Sequence, residues 1–176
     1  MIKVFKIQLL LLFLFVQNSN AQFINLQLTI EPELSASVVS DLNFGQLVVN
    51  SGERNIELGD PSMGIFSVTG FKNQRVYLDV QFPDALVHQN PAISNNIPIS
   101  LNLAVNNTGV NDYKTSFPIQ GDNVLVNLHE YASLESYRSS KGVWETMYIY
   151  VYGSLDIGSI PNGIYDGQIF LYVEYD

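Results

Sequence analysis

The sequence predicts an all-β fold, an antiparallel β-sandwich, and three observations support that expectation. Apolar and polar residues alternate along the segments that are rich in β-branched and aromatic side chains, which is the period-two pattern of half-buried strands. Clusters of Gly, Asn, Asp and Pro separate these segments and supply the backbone conformations that chain reversals need. Helical periodicity is nearly absent, and many short strands without intervening helices favour a sandwich.

The alternating segments define the predicted strands in chain order. The first covers residues 24–30, where Ile24, Leu26, Leu28 and Ile30 share one face. The later strands are predicted at residues 75–82, 98–105, 124–128, 146–157 and 163–176. Turn clusters lie at residues 50–53, 59–64, 69–74, 106–112, 119–123 and 160–163. Residues 128–140 carry Tyr, Leu and Tyr at a spacing of three, so a short helix and a loop both fit that segment.

The last predicted strand is the most strand-like segment of the chain. We expect residues 163–176 to form one continuous strand whose odd-numbered side chains lie against the sheet interior. These groove-face residues are Gly163, Tyr165, Ile169, Leu171, Val173 and Tyr175. Chain ends usually fray, so we expect an apolar strand at this position to be central to the sandwich.

The N-terminal stretch reads as an export signal, residues 1–21. Lys3 and Lys6 provide the positive start, residues 7–16 form a short apolar run, and Ser19 and Ala21 suit a signal peptidase that cleaves before Gln22. The apolar run is shorter than the roughly 20 residues that a membrane-spanning helix needs, although a retained anchor is the alternative. We therefore expect one exported domain, residues 22–176, with no membrane insertion after cleavage and a location in the periplasm, outer envelope or cell surface.

Composition narrows the classes of partner. The net charge is −9, and removal of the two signal lysines makes the mature chain more acidic still. That charge disfavours nucleic acid and anionic lipid as partners. The chain has no cysteine, which excludes a disulfide framework, a lipoprotein anchor and a thiol nucleophile.

Motifs for catalysis or metal binding are missing. His88 and His129 are the only histidines, neither belongs to a zinc-binding HExxH pattern, and both are expected in surface loops. The chain contains no GxSxG elbow and no glycine-rich phosphate loop after a strand. Its aspartates in turns lack the spacing of a calcium loop, and no carboxylate pair implies a glycosidase cleft. We expect no enzymatic activity, no cofactor and no metal.

An aromatic row suggests a second kind of site. Trp144, Tyr148, Tyr150 and Tyr152 share one face of the strand predicted at residues 146–157 and the residues just before it. Exposed aromatic side chains on a sheet can stack on sugar rings, so this face is a candidate glycan-binding surface. Covered faces or cross-strand stabilisation by tyrosine explain the same row.

Three segments resemble a bacterial secreted family related to spore coat protein U and the archaic chaperone–usher pilins. "DLNFGQLVV" at residues 41–49 resembles that family's entry strand, and "GIFSVTGFKNQRVYLDVQFP" at residues 64–83 resembles its next hairpin. "GIYDGQIFLYVEYD" resembles the closing strand, with Gly163 and the penultimate Tyr175 in the family's positions. Many such pilins carry a disulfide, which this chain lacks, and residues 90–144 match nothing in the family's pattern.

The resemblance implies an immunoglobulin-like, pilin-like sandwich that takes a strand from another chain. A periplasmic chaperone would fill the groove first, and a strand from another copy or a related subunit would fill it later. Residues 24–30 have the features of such a donor, because Ile24, Leu26, Leu28 and Ile30 alternate near the new N-terminus. The alternative is that this segment is the ordinary first strand of a complete sandwich. A monomeric glycan-binding module remains the second function.

Overall fold

The computed structural model describes residues 33–121, 123–140 and 142–176. Their secondary structure is almost entirely β. The elements in chain order are β1 (Ser35–Ser40), β2 (Gly52–Ile56), β3 (Gly64–Phe71), β4 (Arg75–Gln81), β5 (Ala85–His88), β6 (Asn96–Asn106), a 3₁₀ turn (Tyr113–Thr115), β7 (Phe117–Ile119), β8 (Val124–Asn127), α1 (Leu134–Ser139), β9 (Trp144–Ile157), β10 (Tyr165–Asp166) and β11 (Phe170–Tyr175). The predicted signal peptide and the predicted strand at 24–30 lie outside the described residues.

A large antiparallel sheet is built around β9. Its strand order is β1-β3-β9-β6-β5-β10, with β2 added to β9 and β7 added to β6. The 14 residues of β9 exceed the length of either neighbour on one edge. Therefore β3 pairs with the first half of β9, up to Val151, and β2 pairs with the second half, from Gly153 to Ile157. On the opposite edge β6 pairs with the middle of β9.

A small antiparallel sheet has the strand order β11-β4-β8. Phe170 to Tyr175 of β11 lie opposite Gln81 to Val76 of β4. Within the part of the chain that the structure describes, the other edge of β11 has no strand partner. Among the described strands, the final strand is therefore an edge strand of the smaller sheet, and the prediction that it is central to the sandwich is wrong.

The two sheets share one core, which gives the molecule its sandwich-like arrangement. Inward side chains of β4 and β8 meet inward side chains of β3, β6 and β9. The buried set is Val68, Val76, Leu78, Val80, Leu103, Val105, Val126, Leu128, Met147, Ile149 and Val151. Burying one such side chain fully contributes roughly 1.5–3 kcal/mol. The predicted all-β fold with antiparallel sheets is confirmed.

The predicted hairpin at residues 64–83 is wrong in its pairing. The strands β3 and β4 belong to different sheets, and the chain turns a corner between them. Asn73 adopts a left-handed conformation with φ 63° at this corner, and Gln74 O accepts a hydrogen bond from Leu128 N–H at 2.9 Å. Val68 and Val76 consequently face each other across the core instead of lying side by side.

Residues 41–49 do not form the strand that the resemblance implied. The strand at this point of the chain is β1, which ends at Ser40. Asn43 Oδ1 accepts a hydrogen bond from Gly45 N–H at 2.8 Å, and Gly45 has φ 78°. This local turn satisfies the Gly45 N–H within the segment, without a strand partner.

The predicted helical segment contains a short helix. Ser133 caps α1, because its Oγ accepts a hydrogen bond from Ser136 N–H at 3.1 Å. Of the two structures that fit residues 128–140, the helix forms at Leu134–Ser139.

Residues Pro32–Asp176 form one compact unit. None of the helices in the described ranges has the length and apolar character needed to cross a bilayer.

Candidate functional site: a groove beside the terminal strand

The C-terminal segment is two strands, so the prediction of one continuous strand is wrong. In β10, Tyr165 lies opposite His88 and Asp166 lies opposite Val87, which places β10 in the large sheet. The chain then crosses to the small sheet, where β11 pairs with β4. Gly167 packs closely at the crossing, since a Cβ there would lie 3.1 Å from Pro83 Cγ. The segment therefore bridges the two sheets at one side of the sandwich.

The odd-numbered side chains of β11 and the preceding residue face the interior. Ile169, Leu171, Val173 and Tyr175 all pack against the shared core. The Tyr175 hydroxyl donates to Glu33 O at 2.9 Å and accepts from Phe71 N–H at 2.8 Å. This pair of hydrogen bonds ties the end of β11 to the large sheet near the start of β1.

A groove of about 860 Å³ lies between the large sheet and the start of β11. We call it the β11 groove. Its floor consists of inward side chains of β3, β6 and β9, including Phe66, Leu101 and Leu155. Residues 41–47 form one wall, and residues 160–170 form the other. Such a volume exceeds what one or two waters need, so the groove can hold a chain segment or a ligand.

The predicted groove-face residues divide between this groove and the core. Gly163, Tyr165 and Ile169 line the β11 groove. Leu171, Val173 and Tyr175 lie farther along β11 and pack against the closed part of the core. Asp41 and Asp166 are the charged side chains among the described lining residues, and they belong to opposite walls. The site is therefore mainly apolar with an acidic residue on each rim.

His88 fixes one wall of the groove, and its predicted position in a surface loop is wrong. It ends β5, is only 8% exposed and packs edge-on against Tyr165 at 4.9 Å between ring centroids. Nδ1 accepts a hydrogen bond from Asn90 N–H at 2.8 Å, and Nε2 lies 3.3 Å from Asn162 O. A Cβ on Gly163 would lie 1.9 Å from Nε2, so this wall requires glycine at 163.

The prediction of an aromatic ligand face is wrong for Tyr150, which lies between Tyr148 and Tyr152 in the row. Tyr150 is fully buried, and its hydroxyl donates to Asn111 Oδ1 at 2.9 Å. Burial, with a smaller effect of Asp112, raises the pKa of Tyr150 to about 12. Tyr148 and Tyr152 are half-buried and pack around the same cluster. Tyr150 cannot stack on a sugar ring, because β2 and the loop that follows it cover this face with Ile56 and Met63.

Trp144 is separate from that covered cluster. Its side chain is 49% exposed at the start of β9, where Phe71 packs edge-on against it with 6.0 Å between ring centroids. Alternation along β9 placed all four aromatic residues on one face, but it carried no information about which part of that face other segments cover. Trp144 is therefore the one exposed member of the row, while Tyr148 and Tyr152 are half-buried and Tyr150 is buried.

A polar cluster that the sequence did not reveal holds α1 against the corner between β3 and β4. Glu145 is 7% exposed and accepts hydrogen bonds from the Tyr131 hydroxyl and from Asn73 N–H. Lys72 Nζ lies 4.7 Å from the centroid of the Tyr137 ring and donates to Ser140 O at 3.0 Å. The cluster has the features of a structural latch, because each charged group is satisfied by neighbours that the fold brings together.

Comparison with known proteins gives no family assignment. No family model matches the chain. No curated protein matches it either. Among the described residues, no group of three or more His, Asp or Glu side chains is placed to hold a metal ion. The resemblance to the spore coat protein U family therefore remains a prediction from sequence.

Proposed function

We propose that this chain is an exported, non-enzymatic structural subunit of the outer envelope or cell surface, and that it assembles by β-strand complementation. In this proposal it acts like a fimbrial or coat subunit and has an immunoglobulin-like, pilin-like sandwich. The observation that carries the proposal is the β11 groove, which has a mainly apolar lining and reaches the start of β11, a strand with one edge free of strand partners in the described ranges. An open edge next to an apolar cleft is a template for a strand from another chain.

The edge of β11 supplies the backbone part of the interaction. Six residues of β11 pair with β4 on one side, and the opposite edge is free of strands within the described ranges. A donor strand would complete the ladder, and each net hydrogen bond contributes about 1 kcal/mol. The small sheet would then have four strands facing the large sheet.

The groove supplies the side-chain part. Ile24, Leu26, Leu28 and Ile30 each contribute roughly 1.5–3 kcal/mol when fully buried, while ordering the backbone costs about 1–2 kcal/mol per residue. Side-chain burial alone therefore only offsets the ordering cost, and the ladder hydrogen bonds are needed for stable assembly. Residues 22–30 contain no charged side chain, which suits a groove whose lining is mainly apolar.

Chain direction favours a donor from a second copy. Glu33 is held at the Tyr175 end of β11, while Val38 and Ser40 line the groove near the start of β11, so β1 and β11 run in opposite directions. A same-chain donor that reverses sharply before Glu33 would run parallel to β11. A donor from another copy can run antiparallel, which is slightly more stable per residue.

A chaperone is the second expected partner. Before assembly, the free subunit would present the open edge and the apolar groove together, which is a combination that promotes aggregation. A periplasmic protein that lends a strand to the same groove would protect the subunit until another copy replaces it. The acidic net charge of −9 is compatible with an extracellular product and favours solubility of the assembled form.

An unheated denaturing gel of the mature protein, residues 22–176, tests the proposal. Strand-exchanged polymers should survive as a ladder, and heating should collapse the ladder to one band. Leu26→Asp should abolish the ladder, because the inward position would bring a charge into the groove. Gln27→Asp is the matched control on the outward face and should leave the ladder intact. A monomer that stays folded after deletion of residues 22–30, from a chain that shows no ladder, would refute the proposal.

A further inference from the structure

A small depression lies at the opposite end of β1 from the β11 groove, on the outer face of the large sheet. It has a volume of about 160 Å³ and is lined by Glu33, Ser35, Thr69 and Trp144. We call it the Trp144 pocket. Ser35 lies opposite Thr69 in the ladder between β1 and β3, and the neighbouring pair in the next ladder is Thr69 with Thr146. Ser35 of β1, Thr69 of β3, Trp144 of β9 and Glu33, which precedes β1, thus bring a carboxylate, two hydroxyls and an indole into one small region.

The pocket residues are held in place by groups outside the pocket. Phe71 packs its ring at 89° to the Trp144 indole. The Thr69 and Thr146 hydroxyls lie 2.9 Å apart and share a hydrogen bond. The Tyr175 hydroxyl donates to Glu33 O at 2.9 Å, which anchors the backbone of the residue that supplies the carboxylate. A preformed arrangement of this kind lowers the ordering cost of binding.

We propose that the Trp144 pocket binds one neutral pyranose unit of a glycan. A pyranose has an apolar face of C–H groups and a rim of hydroxyls. The indole provides an apolar π surface for the first, and the carboxylate and the Ser and Thr hydroxyls provide acceptors and donors for the second. A volume of 160 Å³ corresponds to about five waters, which limits the bound portion to a single small ring.

Two other ligand classes fit less well. An anionic sugar would meet the Glu33 carboxylate, and the described lining contains no cation to offset it. A quaternary ammonium ion is typically bound in a cage of several aromatic rings. Here the second ring, Phe71, stands edge-on to the indole and leaves a single open aromatic surface. The combination of one ring with two hydroxyls and a carboxylate favours a neutral polyol.

Fluorescence gives a direct readout, because Trp144 is the only tryptophan in the chain. We would titrate the mature protein with glucose, galactose, mannose, N-acetylglucosamine and their short oligomers, and confirm binding by calorimetry. At least one sugar should shift the emission saturably with a Kd of about 1 mM, the range expected for a single shallow subsite. Glu33→Gln and Thr69→Val should each weaken that Kd, and Trp144→Ala should reduce the calorimetric signal at least about tenfold.

Tyr172→Ala is the matched control, because Tyr172 is 53% exposed and lies on β11, outside the lining of the pocket. It should leave the Kd unchanged. The proposal is overturned if no sugar shows saturation at about ten times the expected Kd, if binding persists unchanged in Glu33→Gln and Thr69→Val, or if only tetramethylammonium shifts the emission. The pocket variants do not touch the β11 groove, so their gel ladders should match that of the unchanged protein.

Discussion

The two halves of β9 carry the same alternation of side chains but have different surroundings. Met147 and Ile149 in the first half are covered by the small sheet and lie in the closed core. Leu155 and Ile157 in the second half face the β11 groove. One strand thus supports a finished core at one end and an apolar cleft at the other. The difference arises because the three described strands of the small sheet pack over the first half of β9.

This difference separates folding from assembly. The closed half contains the largest set of buried side chains and can stabilise the subunit by itself. The start of β11 reaches the groove half, and among the described strands one edge of β11 is free, so a further strand would add ladder hydrogen bonds along β11 and burial in the groove. Substitutions in the first half should reduce stability, whereas substitutions in the second half should mainly reduce assembly.

The largest effect is expected at Gly153, which lies where the two halves of β9 meet. A Cβ at this position would lie 2.0 Å from Ser100 O, and the glycine has φ 152°. Gly153→Ala should therefore lower the free energy of unfolding by about 4 kcal/mol or prevent folding. Urea denaturation measures the loss. Gly158→Ala is the control, because a Cβ there would meet open space. If Gly153→Ala lowers the free energy of unfolding no more than this control does, the close packing of Gly153 against Ser100 is contradicted.

Ile149→Ala tests the closed half. Ile149 is fully buried between the sheets, so the substitution should lower the free energy of unfolding by about 3 kcal/mol through lost burial and a residual cavity. Urea denaturation of the monomer gives the value. A loss below about 1 kcal/mol would show that the core is not closed at this end.

Alkaline pH tests the covered outer face of β9. The pKa of Tyr150 is raised from 10.0 to about 12, so the folded protein holds this proton more tightly than the unfolded chain. The resulting stability is complete below about pH 10 and is lost as the pH rises toward 12, by up to about 2 kcal/mol. Stability measured from pH 9 to 12 should fall in the unchanged protein and fall less in Tyr150→Phe.

Tyr77→Phe is the control for the alkaline experiment. A hydrogen bond to Asp176 raises the pKa of Tyr77 as well, but this tyrosine is on the outer face of the small sheet. Its removal should leave the loss of stability between pH 10 and 12 nearly unchanged. Equal effects of the two variants would argue against Tyr150 as the source.

Ile169→Ala tests the groove half and should have the smallest effect on the monomer. Ile169 is half-buried at the groove, so the substitution should lower the free energy of unfolding by only about 1 kcal/mol. The unheated gel ladder should nevertheless weaken clearly, because the same side chain would contact the donor strand. A full ladder together with a large loss of monomer stability would reverse the assignment of the two halves.

Alternation predicted the parts of the fold in which one face of a strand is buried. In the strands predicted at 75–82, 98–105 and 124–128, alternation puts one apolar set on each inward face, and all of its members belong to the cores or pack against them: Val76, Leu78, Val80, Phe82, Ile99, Leu101, Leu103, Val105, Val124, Val126 and Leu128. Burial of one face imposes a period of two directly on the sequence, so this information is local. The strands β2 and β7 were missed, because β2 is mostly polar and the three residues of β7 are too few to show an alternation.

Strand pairing, and the covering of a sheet face by other segments, could not be predicted in the same way. The sequence around Asn73 indicates a reversal but not whether the next strand joins the same sheet or the facing one. The row from Trp144 to Tyr152 indicates a shared face, but the cover over Tyr150 comes from β2 and the loop after it. The groove depends on how far the small sheet extends over β9, which is a property of the assembled sheets.

The central claim is that the segment at residues 24–30 of one copy occupies the β11 groove of another. The chain has no cysteine, so one variant can carry Leu28→Cys in the donor and a second can carry Ile169→Cys in the groove wall. Mixing the two during refolding and oxidising them should give a disulfide-linked heterodimer, and Thr29→Cys on the outward face should give much less. If the two cysteines cross-link efficiently only when both are in the same chain, the segment is the first strand of its own sandwich, and assembly by strand exchange between copies is contradicted.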